Sequence, residues 1–366
     1  MRWKEQLLTL TPYQPGKTIG EVKRQYGLKE ITKLASNENP FGCSKKVKEV
    51  LMNAGDFEKY PDGYATDIRS DLAEFLHVNP NQLIFGCGSD EIISMISRAL
   101  LDPKYNTVMA SPTFSQYKHN AIIDGAGEIR EIPLINGEHD LDKMLDAIDD
   151  RTNVVWLCSP NNPTGTYIPE ERLISFLNKV PKTTLVVLDE AYYEYVVADD
   201  YYNSIDLIDV FENLIVLRTF SKIYGLASFR VGYGVSNPEV ILSLEPARGP
   251  FNTNTLGQMV AAQAIKDQDF VEFCRKTNRE GLQQFYDFCE ENGLKYYPSQ
   301  ANFILIDFNR QGNEVFQYLL ERGYIVRSGN ALGFPTAVRI TVGSKEQNDG
   351  LLNMLKEYLS HIKALS

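Results

Sequence analysis

Three short apolar runs, each followed directly by a polar motif, limit the possible folds of this chain more than any other feature. The runs are Thr152 to Cys158, Thr184 to Leu188 and Leu214 to Leu217. Nearly continuous apolar runs of this length are typical of strands buried on both faces of a parallel sheet. Because ligands bind beyond the carboxyl ends of the strands in open α/β sheets, the three motifs are expected to converge on one crevice.

The third motif contains a lysine in a setting that suits an aldehyde cofactor carrying a phosphate. Lys222 lies in Thr219-Phe220-Ser221-Lys222, and Arg230 follows it by eight residues. The amine can hold the aldehyde as a Schiff base and carry a proton, while Thr219, Ser221 and Arg230 neutralise the phosphate. The pattern therefore predicts pyridoxal 5′-phosphate.

The other motifs supply what the ring of that cofactor needs. Asp189 ends the second run and can keep the ring nitrogen protonated. Asn162, after the first run, and Tyr192, after the second, have donors for the phenolic oxygen. Phe114 follows a strand candidate at 107–110 and can stack on the ring.

A glycine-rich loop adds a further anion-binding element. Gly86-Cys87-Gly88-Ser89-Asp90 lies between a strand candidate at 82–85 and an apolar helical stretch at 92–101. Backbone N–H groups at such a helix start can bind a phosphate. The loop alone could also suggest dinucleotide binding, but no full Gly-x-Gly-x-x-Gly is present, because position 91 is Glu. In isolation Asp189 could be a helix cap, and Asn162-Pro163-Thr164-Gly165 an ordinary turn.

Composition excludes some classes of function. The chain has 366 residues and a net charge of −11, which argues against general binding of nucleic acid or of anionic membranes. No apolar stretch approaches the ~20 residues that span a bilayer, and the start lacks a signal-peptide core. The five cysteines show neither Cys-x-x-Cys pairs nor zinc spacing. We therefore expect a cytoplasmic protein with reduced thiols and no metal site.

The chain is expected to form two domains and an arm. Residues 1–44 are predicted to be an N-terminal arm that contributes to the small domain, residues 45–245 a large cofactor-binding domain, and residues 246–366 a small C-terminal domain. The break is placed at Glu245-Pro246-Ala247-Arg248-Gly249-Pro250. Strand candidates at 302–307, 323–327 and 338–342 and a closing helix at 347–362 make the small domain α/β.

With these residues in place, the chain resembles the fold-type I, aspartate-aminotransferase-like superfamily, and within it the histidinol-phosphate aminotransferases. Besides the strand-end motifs, the resemblance is carried by four further stretches. These are Thr11 to Lys17, Ala35-Ser36-Asn37-Glu38-Asn39-Pro40, Tyr60-Pro61-Asp62-Gly63, and Val326-Arg327-Ser328-Gly329 with Val338-Arg339-Ile340-Thr341-Val342-Gly343. The resemblance implies an α/β fold with a mostly parallel, seven-stranded sheet in the large domain and a smaller C-terminal α/β domain.

The resemblance also implies the role of each residue at the cofactor. It makes Lys222 the Schiff-base lysine, Asp189 the partner of the ring nitrogen, and Asn162 and Tyr192 the phenolate donors. Many relatives have tyrosine where this chain has Phe114, which keeps the aromatic face and removes a hydroxyl. The phosphate is expected to contact Ser89, Asp90, Thr219, Ser221 and Arg230. Tyr60 is expected to reach it from the neighbouring subunit of a homodimer with shared active sites.

For the substrate, the resemblance points to Arg327, Arg339, Tyr13 and Asn37. A guanidinium pair can bind the phosphate of histidinol phosphate or the carboxylate of glutamate. The implied reaction is ping-pong transamination between histidinol phosphate and 2-oxoglutarate, in histidine biosynthesis. Three alternatives stay open: an aromatic (Tyr/Phe) aminotransferase, possible as a second activity, a related decarboxylase, and a non-catalytic cofactor-binding regulator.

Overall fold

A computed structural model describes residues 1–12, 16–55 and 57–365. The strands are β1 (Thr32–Lys33), β2 (Leu83–Gly86), β3 (Asn106–Ser111), β4 (Glu128–Pro133), β5 (Thr152–Cys158), β6 (Leu185–Asp189), β7 (Leu214–Thr219), β8 (Gly232–Ser236), β9 (Lys295–Tyr296), β10 (Phe303–Asp307), β11 (Tyr324–Ile325), β12 (Arg327–Ser328) and β13 (Ala337–Thr341). The helices are α1 (Glu5–Thr9), α2 (Ile19–Tyr26), α3 (Lys45–Met52), α4 (Thr66–Leu76), α5 (Ser89–Leu100), α6 (Gln116–Asp124), α7 (Leu141–Asp146), α8 (Glu170–Leu177), α9 (Pro238–Leu244), α10 (Thr255–Ala264), α11 (Gln268–Asn292), α12 (Gly312–Leu320) and α13 (Lys345–Leu365).

Seven strands form the larger sheet, in the order β2-β8-β7-β6-β5-β3-β4. The pairings among β3, β4, β5, β6 and β7 are parallel, and only β8, between β2 and β7, runs antiparallel to its neighbours. Six strands therefore point their carboxyl ends to the same edge. This arrangement confirms the mostly parallel, seven-stranded sheet expected from the sequence.

The central strands of this sheet are buried on both faces. Along β5, Val155 and Leu157 belong to one apolar cluster, whereas Val154 and Trp156 belong to another on the opposite face. The same alternation holds along β6 and β7. Because successive side chains of a strand point to opposite faces, two buried faces require a nearly continuous apolar run. The predicted strand at 152–158 has the observed bounds of β5.

The smaller sheet is antiparallel, with the order β12-β13-β10-β9. Its core joins Ile304 and Ile340 of the sheet to Phe285 of α11 and Leu351 of α13. Leu34 packs into the same core, and β1 pairs in parallel with β11. A smaller α/β unit with a contribution from the N-terminal segment is thus present.

Helix α11 connects the two cores. Val271 and Cys274, in its first half, pack in the core of the large sheet, and Leu282 and Phe285, further along, pack in the core of the small sheet. The boundaries at residues 44 and 245 stay a prediction. Within the described residues, no helix has both the length and the apolar composition needed to cross a membrane.

Candidate active site

A cavity at the carboxyl edge of the large sheet brings together most of the predicted site residues. It is lined by Gly16, Ala35, Ser36, Asn37, Gly88, Ser89, Asp90, Phe114, Cys158, Asn162, Asp189, Ala191, Tyr192, Thr219, Ser221, Lys222, Arg230, Arg327 and Arg339. Strands β5, β6 and β7 are hydrogen-bonded neighbours whose last residues include Cys158, Asp189 and Thr219. Residues far apart in the chain therefore meet because parallel strands end together.

Asp189 is a buried carboxyl group at the floor of the cavity, with 3% of its surface exposed. Burial raises its pKa to about 6. Two donors hold the group in place: the hydroxyl of Tyr117 donates to Oδ2 at 2.6 Å, and the backbone N–H of Ala191 donates to Oδ1 at 3.2 Å. Tyr117 in turn stacks on Trp156, with ring centroids 5.0 Å apart. The carboxyl group is thus held rigidly where a cationic ring nitrogen would be its natural partner.

Lys222 lies three residues beyond the end of β7, and its amine is in the cavity wall near Tyr192. Its Nζ is 5.6 Å from the centroid of the Tyr192 ring. Burial, followed by the positive charge of Arg339, lowers the pKa of the amine to about 8. A substantial fraction of the amine is therefore neutral near physiological pH, the form required of a nucleophile or a base.

The start of α5 and Arg230 form an anion-binding corner of the cavity. The first N–H groups of a helix have no intrahelical acceptor, and Gly88, which precedes α5, has no side chain that could cap them. Arg230 Nη1 donates to Ser221 Oγ at 3.2 Å, and Nη2 lies 3.5 Å from Asp90 Oδ2. Gly88 has φ +79°, and a Cβ there would collide with the Arg230 guanidinium. The glycine thus permits the guanidinium to approach the helix terminus.

Asn162 and Tyr192 are both oriented by neighbours outside the large sheet. Arg339 Nη1 donates to Asn162 Oδ1 at 2.6 Å, so the Asn162 Nδ2 donor is directed elsewhere. The Asn37 amide donates to the Tyr192 hydroxyl at 2.9 Å, which leaves the hydroxyl proton for another acceptor. Both side chains line the cavity. Each therefore presents a donor of the kind that a phenolate oxygen would accept.

Arg327 and Arg339 face each other across neighbouring antiparallel strands. They are direct register partners on β12 and β13, and both line the cavity. Arg339 Nη2 also donates to the Ala35 carbonyl at 2.8 Å. Guanidinium groups can each bind an oxyanion through two parallel hydrogen bonds, so two of them lining one cavity suit an anionic ligand.

Among the described residues, one predicted site residue does not line this cavity. Tyr60 is 81% exposed and stacks on Phe251, with ring centroids 4.8 Å apart. Tyr13 lies outside the described residues. The roles assigned to both stay predictions.

Some residues at the site were not predicted to act there. Tyr117 was missed, although its position three residues after Phe114, on the same side of a helical turn, is a usable signal. Cys158 was assigned only as a reduced thiol, yet it ends β5 and lines the cavity, where burial raises its pKa to about 12. Thr341 was named only as part of the stretch 338–343, with no role of its own. It accepts a hydrogen bond from the Asn37 backbone N–H, a contact between residues far apart in the sequence that local pattern cannot predict.

The side chains present fit pyridoxal phosphate in each of its parts. A helix start with Arg230 and Ser221 suits the phosphate, a rigid buried carboxyl group suits the ring nitrogen, and two directed donors suit the phenolic oxygen. Phe114 lines the cavity with its ring edge-on to Tyr117 at 5.6 Å, so its own face is available for stacking. The amine of Lys222, with its lowered pKa, completes the set.

The chain is similar in sequence to known aminotransferases. Residues 29–355 match the family model described as aminotransferase class I and II. The chain is 62% identical over 360 residues to a histidinol-phosphate aminotransferase of Geobacillus sp. (strain WCH70), covering 98% of each chain. It is 59% identical over 361 residues to the Bacillus subtilis (strain 168) protein of the same name, covering 98% of this chain and 100% of that one.

A solved crystal structure has the same fold over the whole length of this chain. The crystal structure of histidinol-phosphate aminotransferase from Sinorhizobium meliloti, in complex with pyridoxal 5′-phosphate, superimposes with a TM-score of 0.90 at 27% identity. The alignment covers 100% of this chain and 98% of that chain. The fold of the two chains is the same.

Proposed function

The chain belongs to the aminotransferase class I and II family, and we propose that it transfers the amino group of histidinol phosphate to 2-oxoglutarate. The products are imidazole acetol phosphate and glutamate, and the pathway served is histidine biosynthesis. The observation that carries the choice of substrate is the opposed pair Arg327 and Arg339 at the cavity. Two guanidinium groups on one oxyanion favour a phosphate dianion over a single carboxylate.

The chain's own residues have separable tasks in this reaction. Bound pyridoxal phosphate supplies an electron sink for the carbanion formed when the substrate loses its α-proton. Lys222 would hold the cofactor covalently at rest. Once the amine of the substrate has displaced it, the freed Nζ would take the α-proton of the substrate and later release it to the cofactor carbon to which Lys222 had been bound. Asp189 keeps the ring nitrogen protonated, and Asn162 and Tyr192 donate to the phenolic oxygen. Ser89, Asp90, Thr219, Ser221 and Arg230 hold the phosphate.

Both substrates of the ping-pong cycle use the same cavity. Histidinol phosphate delivers its amino group, leaves as the ketone, and is followed by 2-oxoglutarate, which leaves as glutamate. Each has an anionic end that Arg327 and Arg339 can bind, and Asn37 lies beside them in the lining. A single site can therefore accept both molecules.

The proposal includes a homodimer with shared active sites. Tyr60 and Phe251 form a stacked pair that is largely exposed on a single chain, at 81% and 46% respectively. An exposed aromatic pair of this kind favours contact with a second copy. In such a dimer Tyr60 would reach the cofactor phosphate of its partner, and Tyr13 would close the partner's substrate pocket. The proposal also includes a cytoplasmic location, supported by the free thiols of all five cysteines.

A half-reaction experiment tests this function. The purified holoenzyme is mixed separately with histidinol phosphate, tyrosine and glutamate, and the loss of the visible cofactor band is followed. We expect histidinol phosphate to convert the cofactor at far lower concentration than tyrosine. The Arg327→Gln variant should raise the concentration required for histidinol phosphate about 100-fold, since a charge-assisted contact contributes ~2–3 kcal/mol.

The matched control is Arg322→Gln, which removes an arginine that lies over the Tyr318 ring away from the cavity. This variant should behave as the wild type. Conversion by tyrosine alone would replace the proposal with an aromatic aminotransferase. Release of carbon dioxide with no need for a keto acid would replace it with a decarboxylase.

A further inference from the structure

A chain of buried hydrogen bonds leads from β13 to Tyr192. The backbone N–H of Asn37 donates to Thr341 Oγ1 at 2.9 Å, and the Thr341 hydroxyl donates to Asn37 Oδ1 at 3.0 Å. The Asn37 amide then donates from Nδ2 to the Tyr192 hydroxyl at 2.9 Å. Asn37 is 2% exposed, and Thr341 and Tyr192 are each 3% exposed. All three side chains are therefore shielded from solvent.

The direction of each hydrogen bond follows from the first one. A backbone N–H can only donate, so Thr341 Oγ1 accepts from Asn37 and has its own proton left to donate. That proton goes to Asn37 Oδ1, which turns the Asn37 Nδ2 toward Tyr192. If the Asn37 amide were reversed, both its Nδ2 and the Asn37 backbone N–H would point at Thr341 Oγ1. The hydroxyl proton of Thr341 would then have no acceptor among the described residues. Burying such an unsatisfied donor costs ~1–3 kcal/mol.

Two residues at the start of β10 hold the other members of this hydrogen-bond chain, Asn37 and Tyr192, in place. Asn302 Nδ2 donates to the Asn37 carbonyl at 2.9 Å, and Asn37 has a left-handed backbone with φ 56°. Phe303, the register partner of Thr341 on β10, packs edge-on against the Tyr192 ring at 5.1 Å. The backbone and the ring are thus held while the hydroxyl proton of Tyr192 stays available.

We propose that Thr341 is a positioning residue for the transamination, acting through Asn37 to direct the Tyr192 hydroxyl proton into the cavity. The inference rests on the proposed function, since it assumes that a phenolic oxygen of the cofactor accepts that proton. A hydrogen bond donated to this oxygen lowers its affinity for a proton. Thr341 therefore controls the proton affinity of the bound cofactor from a distance, although it does not itself line the cavity.

Among the described residues, titratable groups face Tyr192 from several elements, including Tyr195 in the 3₁₀ turn Tyr193–Tyr195, and a change at Thr341 leaves all of them in place. Arg339 faces Tyr192 from β13, Asp189 from β6 and Cys158 from β5. The Lys222 amine faces it from the loop after β7. A substitution at Thr341 removes none of these charges. A changed titration midpoint of the cofactor would therefore show that the Tyr192 hydroxyl no longer donates its hydrogen bond into the cavity.

The test compares variants that differ mainly by one hydroxyl. Thr341→Val preserves shape and removes the hydroxyl, Thr341→Ala removes it with less bulk, and Thr341→Ser keeps it. Tyr192→Phe gives the full effect of losing the donor. The control is Thr184→Val, which removes a buried hydroxyl bonded to the Thr152 carbonyl at 2.7 Å, at the opposite edge of the sheet. The readout is the pH midpoint of the visible absorbance change of the bound cofactor.

We expect Thr341→Val and Thr341→Ala to raise this midpoint by about one pH unit, which is about tenfold in proton affinity. Tyr192→Phe should raise it at least as far. Thr341→Ser and Thr184→Val should match the wild type, even where unfolding measurements show lost stability.

Three outcomes would overturn the inference. The first is a wild-type midpoint in both Thr341→Val and Thr341→Ala beside a shifted midpoint in Tyr192→Phe. The second is a shift of equal size in Thr341→Ser, and the third is a shift of equal size in Thr184→Val. Should Thr341→Val not fold, Thr341→Ala and Thr341→Ser decide the matter. A wild-type protein that binds no cofactor would instead overturn the proposed function, so the two failures are distinguishable.

Discussion

At the scale of single residues, the cavity shifts two ionisable groups toward their neutral forms. Burial lowers the pKa of Lys222 to about 8 and raises the pKa of Asp189 to about 6. Both shifts have the same physical origin, because an environment with little water disfavours either charge. Each shift leads to a prediction for the cofactor-free protein.

For Lys222, we expect the rate of covalent capture of pyridoxal phosphate to rise with pH and level off above about pH 8. The neutral amine is the nucleophile, so a lowered pKa makes it available at lower pH than an ordinary lysine. Stopped-flow absorbance on the cofactor-free protein measures this rate, with Lys222→Ala as the blank. A midpoint near ~10.4, the ordinary lysine value, would contradict the prediction.

For Asp189, we expect the Asp189→Asn variant of the cofactor-free protein to be more stable than the wild type at pH 7, by roughly 3 kcal/mol. The folded-state pKa is raised, so the ionised carboxyl group destabilises the fold. The loss of folding free energy caused by the charged carboxyl group is absent below pH 3.8, grows as the pH rises to about 6, and is constant above that.

Urea unfolding at about pH 4 and pH 7 measures the difference, which should nearly vanish at the lower pH. Asp150→Asn, at an exposed position, is the control and should show no gain. Equal stability of Asp189→Asn and the wild type at pH 7 would show that burial does not destabilise the charged form.

At the scale of elements, the start of α5 depends on a glycine. We expect Gly88→Ala to weaken the affinity of the cofactor-free protein for pyridoxal phosphate at least tenfold, about 1.4 kcal/mol. The added Cβ would displace the Arg230 guanidinium from the helix terminus. Fluorescence titration measures the affinity. Gly27→Ala is the control, since Gly27 also has a positive φ, of 66°, but has no neighbour within 4 Å of an added Cβ. A similar loss in both variants would contradict the role of the contact.

The strands differ in how well their residues predict them. Buried strands with continuous apolar runs, such as β5, β6 and β7, were predicted. Strand β8 was not predicted, because it contains Gly232 and Gly234, and a Cβ at Gly232 would collide with the Ser89 backbone. The single strand expected at 323–327 is divided into β11 and β12, which pair with different partners, β1 and β13. The partner of each strand is set by tertiary packing. The local pattern of apolar residues therefore does not show where one strand ends and the next begins.

At the scale of the whole molecule, the proposed shared site can be tested by mixing two defective subunits. Lys222→Ala and Tyr60→Ala should each have little activity. If Tyr60 acts on the partner's phosphate, a mixed dimer contains one site with both residues intact. We therefore expect activity above that of either variant alone after the two are unfolded together and refolded.

Mixing Lys222→Ala with Asp189→Asn is the control, because those two residues belong to the same cavity and a mixed dimer restores no intact site. Equal activity in the two mixtures, or a Tyr60→Ala protein as active as the wild type, would contradict the shared site.

By itself the sequence predicted the mostly parallel sheet, the cofactor, and a group of residues that line one cavity. Buried parallel strands have apolar runs whose ends point to one edge, so Asn162, Asp189 and Lys222 could be placed together by local pattern alone. Only the tertiary structure decided that Tyr117 holds Asp189, that Arg327 faces Arg339, and that Thr341 reaches Tyr192 through Asn37. These contacts join residues up to 304 positions apart, and their geometry depends on packing between elements.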